Sequence, residues 1–211
     1  MKKIIQILFL TFLFSCSNKS NYNYTIINED TDRAFNKTSI EIQLKEEVSE
    51  VDLKNIALEI KDSRDDFDEI WIFYFLPNQE PGNGAWATTH FKPELNVKIL
   101  GATKEASIKM NTSKVTGEIL HSWFENDPML PNKKYLVKEY DKLYMKSIYA
   151  KSKLAGDGGE MKEEVFINKL KNGTTRFDYK NNHGEYYLIE KNGNLGLYDD
   201  SGKFMEAEKI N

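Results

Sequence analysis

Ile70-Trp71-Ile72-Phe73-Tyr74-Phe75-Leu76 is the most apolar stretch of the chain beyond its N-terminal leader, and Pro77 stops it. Aromatic and β-branched residues over seven uncharged positions predict a central strand buried on both faces. Just upstream, Ser49 is placed to cap a helix, with Asp52 three residues on as a variant of the capping box. Val48 and Leu53 flank that cap as a hydrophobic staple. Leu53, Ile56, Ala57 and Ile60 then recur at i, i+3, i+4 and i+7, so one stripe of the helix faces a core.

Further back, Ile40, Ile42 and Leu44 alternate with Glu41, Gln43 and Lys45, the period of a half-buried strand. Tyr24 to Ile27 opens another. Between helix and central strand lies KDSRDDFDE (61–69). Its acids oppose a helix C-terminus, and their spacing does not match a calcium loop, so it reads as a solvated acidic turn. Downstream, PNQEPGNG (77–84) is a long turn, AWATTHF (85–91) a strand, and Leu95, Val97 and Ile99 alternate after Pro93. The order β-β-α-β-β predicts a small α+β sandwich with its helix on one sheet face.

The words GAWATTHF (84–91), followed by a proline and an alternating strand to Ile99-Leu100-Gly101, resemble a group of uncharacterised bacterial secreted or lipid-anchored proteins. The resemblance implies a fold and no chemistry.

Residues 102–116 read as a polar, modestly helical connector carrying Ala106 and Ile108. From Glu118 onward the chain consists of short β-rich runs such as EILHSWFE, LYMKSIYA and EYYLIEK. Asp141-Lys142, Gly156 to Gly159, Asn172-Gly173, Asn192-Gly193 and Ser201-Gly202 separate them. Asn-Gly between apolar runs is a strong hairpin signal, so this half is expected to be an antiparallel meander, either a curved sheet or a small barrel.

The leader decides where the protein is expected to live. Lys2 and Lys3 precede an apolar run from Ile4 to Phe14, too short for the roughly 20 residues of a membrane span but suited to a signal peptide. Leu13-Phe14-Ser15-Cys16 resembles the lipobox of bacterial lipoproteins, in which the cysteine is acylated and becomes the mature N-terminus. Two or more acyl chains give stable anchoring, at about 0.8 kcal/mol per buried CH₂. The expected organisation is a signal peptide over 1–15, a lipid anchor and tether over 16–23, an α+β module over 24–116 and a β-meander over 117–211. Ser17, not aspartate, follows the cysteine, which in lipoproteins of this kind suggests the outer membrane.

Composition narrows the function. The net charge of −4 becomes −6 once the leader with Lys2 and Lys3 is removed, and only three arginines occur. A nucleic-acid partner is therefore not expected. Cys16 is the only cysteine, so a cysteine metal site or internal disulfide is not expected either. His90, His121 and His183 show no metal-ligand spacing. No nucleophile elbow, phosphate loop or dinucleotide fingerprint is present, and no cofactor is expected.

The candidate binding residues are His90, Trp86 and Thr88, on a strand beside the Gly82–Gly84 loop. Tyr135, Tyr140, Tyr144, Tyr149, Tyr186, Tyr187 and Tyr198 are candidates for a binding face, because tyrosine keeps one polar end. The leading expectation is a non-catalytic binding or interaction module at the envelope, touching the membrane through its lipid and taking an envelope protein or a small molecule. The alternatives are an envelope hydrolase with His90 as base, and a carrier of a small apolar ligand in the C-terminal module.

Overall fold

The computed structural model describes residues 22–77, 79–170 and 174–210. Cys16, the rest of the leader, most of the tether and the Asn172-Gly173 turn lie outside the described residues. The chain forms an α+β sheet followed by an antiparallel β-barrel.

The first sheet has the order β1 (Tyr24–Asp32), β2 (Lys37–Leu44), β3 (Glu69–Phe75), β4 (Ala87–Phe91) and β5 (Leu95–Ile99). β2 and β3 are parallel, and the other neighbours are antiparallel. The crossover between β2 and β3 is α1 (Glu50–Asp62). Its capping box forms as expected: Asp52 N donates to Ser49 Oγ at 3.1 Å and Ser49 N to Asp52 Oδ2 at 3.2 Å. Leu53, Ile56, Ala57 and Ile60 are buried against Ile40, Ile42, Ile70, Ile72 and Tyr74.

β3 is central, but only one of its faces is buried along its whole length; on the other, only Phe75 at the C-terminal end is buried. Ile70, Ile72 and Tyr74 point under α1, whereas Trp71 and Phe73 stand half-buried on the opposite face. The single helix between these strands lies on one side, so the aromatic content that suggested two covered faces is shared between a core and an open surface.

α2 (Lys104–Asn111) follows, capped by Thr103. Met110 is its buried residue, and Ile108 points outward. β6 (Glu118–Glu125), β7 (Asn132–Glu139), β8 (Lys142–Tyr149), β9 (Gly159–Lys169), β10 (Thr175–Tyr179), β11 (Tyr186–Ile189), β12 (Leu195–Asp199) and β13 (Gly202–Ile210) then make an up-and-down meander. β13 pairs with β6, so the eight strands close into a barrel. Closure removes both edges that an open meander would expose.

A narrow seam joins sheet to barrel. Trp86 is fully buried there, and its Nε1 donates to Ala102 O at 2.9 Å. Ala102 N donates to Pro128 O, and Lys153 N to Leu100 O. Gly101 fits because a Cβ at that position would lie 2.5 Å from Pro128 O and 2.6 Å from Trp86 Cδ1. α2 covers the outer barrel wall, with Met110 packed among Ala102, Ile148 and Ala150.

Candidate functional site

Strand alternation sends every second barrel residue inward, and the inward residues change character along the axis. At one end Trp123, Leu136, Met145, Val165, Phe177, Leu195 and Ala207 fill the interior. At the other end the inward positions are Glu125, Asn132, Lys134, Tyr149, Glu163, Tyr179 and Tyr187. They line a cavity of about 300 Å³.

Three of these polar groups form a buried chain. Lys134 Nζ lies 3.2 Å from Glu125 Oε2 and donates to Asn132 Oδ1 at 2.8 Å. Asn132 Nδ2 donates to the same Glu125 oxygen at 2.9 Å. Burial pushes the Lys134 ammonium below the usual lysine range, and Glu125 beside it works in the opposite direction. Burying an ion pair seldom adds net stability compared with an apolar pair of equal volume.

Across the mouth, phenols meet carboxylates. Tyr187 Oη donates to Glu163 Oε2 at 2.8 Å, and Tyr179 Oη to Glu185 Oε2 at 2.6 Å. The two rings lie 5.1 Å apart. Burial and the neighbouring carboxylates raise both phenols, so they stay protonated and keep donating. Asn181 holds Glu185 in place by accepting from its backbone N–H at 3.0 Å and donating to its carbonyl at 2.7 Å. Ser147 Oγ is buried with no hydrogen-bond partner within bonding geometry among the described residues, on the inward face between Met145 and Tyr149. Met161 and Phe204 at the rim, and Leu154 beside it, are exposed apolar side chains.

The residues singled out from the sequence are dispersed. Trp86 belongs to the seam core and offers no face to a ligand, because the barrel loop at Pro128 and Gly101 close over it. Thr88 and His90 share the open face of the first sheet, opposite Phe73 and Trp71 respectively. His90 stacks on Trp71 with ring centroids 3.6 Å apart, and its Nε2 has no partner among the described residues. Burial holds the imidazole below its usual range, only partly offset by Glu69.

The Gly82–Gly84 loop does not approach His90. Ala87 to His90 covers about 10 Å of strand, which puts the histidine at the end of β4 away from the loop. Buried Gln79 fastens that loop, donating to Gly84 O at 2.7 Å, beside a crevice shared with Asn126, Asp127 and Pro128. Glu125 and Met205 line both that crevice and the barrel mouth.

Of the tyrosines, Tyr149 and Tyr187 line the cavity. Tyr135 packs outside near α2, Tyr140 sits fully exposed at a turn, and Tyr186 stacks on Tyr198. No local sequence signal marks Tyr179 or the buried Lys134–Glu125–Asn132 chain. His121 and His183 lie on β6 and in the β10–β11 loop, both exposed. Among the described residues no group of three or more His, Cys, Asp or Glu side chains is placed to hold a metal ion. Comparison of the chain with protein families, curated proteins and solved structures finds no match.

Proposed function

We propose that the chain is a lipid-anchored binding protein of the bacterial cell envelope, with the open end of its barrel as the ligand site. The leader supports the anchor: a short apolar run ending in Leu13-Phe14-Ser15-Cys16 provides the thiol for acylation. Among the described residues no helix is long and apolar enough to cross a membrane. Ser17 favours the outer membrane. The observation that carries the binding reading is the cavity of about 300 Å³, at the lower end of the size range of small-molecule pockets, built from buried polar groups in a barrel otherwise filled. A barrel needing only stability gains little from burying Lys134 and Glu125 where an apolar layer would serve.

Apolar side chains occupy the half of the interior that an apolar ligand would need, so the ligand is polar or amphiphilic. Hydrolysis through His90 has less support, because the histidine is stacked on Trp71 away from the glycine loop and from the cavity.

Native mass spectrometry of the protein released gently from its own envelope tests the reading. A bound small molecule is expected, and it should be lost when Leu197→Trp fills the cavity. Recovery of the protein ligand-free from intact envelopes, or an unchanged adduct in Leu197→Trp, would overturn it. Anchoring is checked separately by feeding labelled fatty acid: label in the native chain and none in Cys16→Ala supports it, and equal label sinks it.

A further inference from the structure

We propose that the barrel mouth selects an organic ammonium ion bearing an apolar substituent. This rests on the reading of that cavity as a ligand site and names the chemistry of its occupant. Glu125, Glu163 and Glu185 line the cavity against Lys134 and Lys180, so its formal balance is 2 − 3 = −1. Glu125 is already committed to Lys134. Glu163 and Glu185 have no lysine or arginine within ion-pair distance among the described residues. Each spends one oxygen on a phenol, which leaves carboxylate charge facing the cavity.

The phenols add to the same preference. Tyr179 and Tyr187 both line the cavity, with ring centroids 5.1 Å apart and Tyr179 the less buried of the two. A phenol that donates to a carboxylate gains electron density in its ring, and an ammonium ion is drawn to such a face. Within the cavity the protein makes such a contact itself, with Lys134 Nζ 5.8 Å from the Tyr149 ring centre. An anionic ligand would meet Glu163 and Glu185 with no unpaired cation except exposed Lys180.

The apolar substituent has a place as well. A second groove of about 330 Å³ shares Leu130, Tyr149 and Met161 with the cavity and continues to Leu154 and Ala155. Its exposed apolar residues, Leu154 and Met161, lie where a chain leaving the mouth would run. The head group is thus bound by charge and ring faces, and the tail by contact with aliphatic side chains.

Three probes with one tail separate the possibilities: hexyltrimethylammonium, hexanesulfonate and hexanol, titrated calorimetrically into the full chain below their micellar concentrations. The ammonium probe should bind at least tenfold more tightly than either of the others. Glu163→Gln with Glu185→Gln should weaken it at least tenfold, and Leu154→Ala should weaken it by a smaller factor. Glu185→Gln alone, at a half-exposed loop position, keeps the test valid if the double variant does not fold. Equal or tighter binding of the sulfonate or the alcohol would overturn the ammonium assignment while leaving the ligand site standing. No binding of any probe, or binding insensitive to the glutamate changes, would overturn it too.

Discussion

Lys134 and Glu125 face each other inside the barrel at 3.2 Å, and Asn132 hydrogen-bonds to both. Each charge is tolerated there only because the other is present. Lys134→Met should therefore cost about 3–5 kcal/mol by leaving Glu125 buried without its cation. Adding Glu125→Gln to that variant should recover most of the loss. Urea unfolding of the two single variants and the double variant checks this, and additive losses would contradict it.

The seam depends on a missing side chain. Gly101→Ala would force a Cβ against Pro128 O and the Trp86 ring, and should destabilise by about 1–3 kcal/mol. Trp86→Ala removes a fully buried ring and its bond to Ala102 O, and should cost about 3–5 kcal/mol. Thermal denaturation ranks the two, and a stable Gly101→Ala would argue against the tight approach.

His90 reports on the open sheet face. Its ring lies flat on Trp71, and burial lowers its pKa below the ordinary histidine value of 6.5. A lowered base binds fewer protons when folded than when unfolded, so protonation opposes folding. The stability it contributes is complete above 6.5 and declines as the pH falls below that value. Trp71 fluorescence should titrate with a midpoint below 6.5, and the transition should vanish in His90→Asn. A midpoint at or above 6.5 would contradict burial as the dominant influence on the imidazole.

On the outer barrel wall, Glu139 accepts from both Lys146 and Lys162, and these bonds hold its carboxyl down at about 2. A lowered acid contributes stability above its unfolded pKa of 4.5 and loses it as the pH drops toward 2. Glu139→Gln should flatten the acid limb of the stability curve between those values and leave the neutral limb parallel to that of the native chain. An acid limb identical to the native one would remove Glu139 from the explanation.

How far the sequence could be read follows from which signals are local. Ser49, Asp52 and the Leu53 stripe lie within one helix, and the Asn192-Gly193 and Ser201-Gly202 turns within single hairpins, so these elements were legible. Barrel closure was not, because it depends on β13 meeting β6, as where Ser122 Oγ donates to Ile210 O across 88 residues. Lys134 and Lys146 look like any outward lysine in an alternating strand. Lys134 points inward, and Lys146 is covered on the outer wall by residues around Thr116, whose Oγ1 it reaches at 2.7 Å. The sequence pattern points Trp86 toward binding and Trp71 toward a core, and the structure reverses their surroundings. Trp86 is covered by the barrel loop at Pro128, whereas one face of β3 is left open. Neither cover is encoded next to the tryptophan it affects.

Fluorine NMR of the full chain labelled with 3-fluorotyrosine addresses the ligand site most directly. On adding an extract of the protein's own envelope, the resonances of Tyr149, Tyr179 and Tyr187 should shift together while those of Tyr140, Tyr186 and Tyr198 stay fixed. Shifts confined to the outer tyrosines, or none at all, would mean that the mouth of the barrel is not where this protein binds.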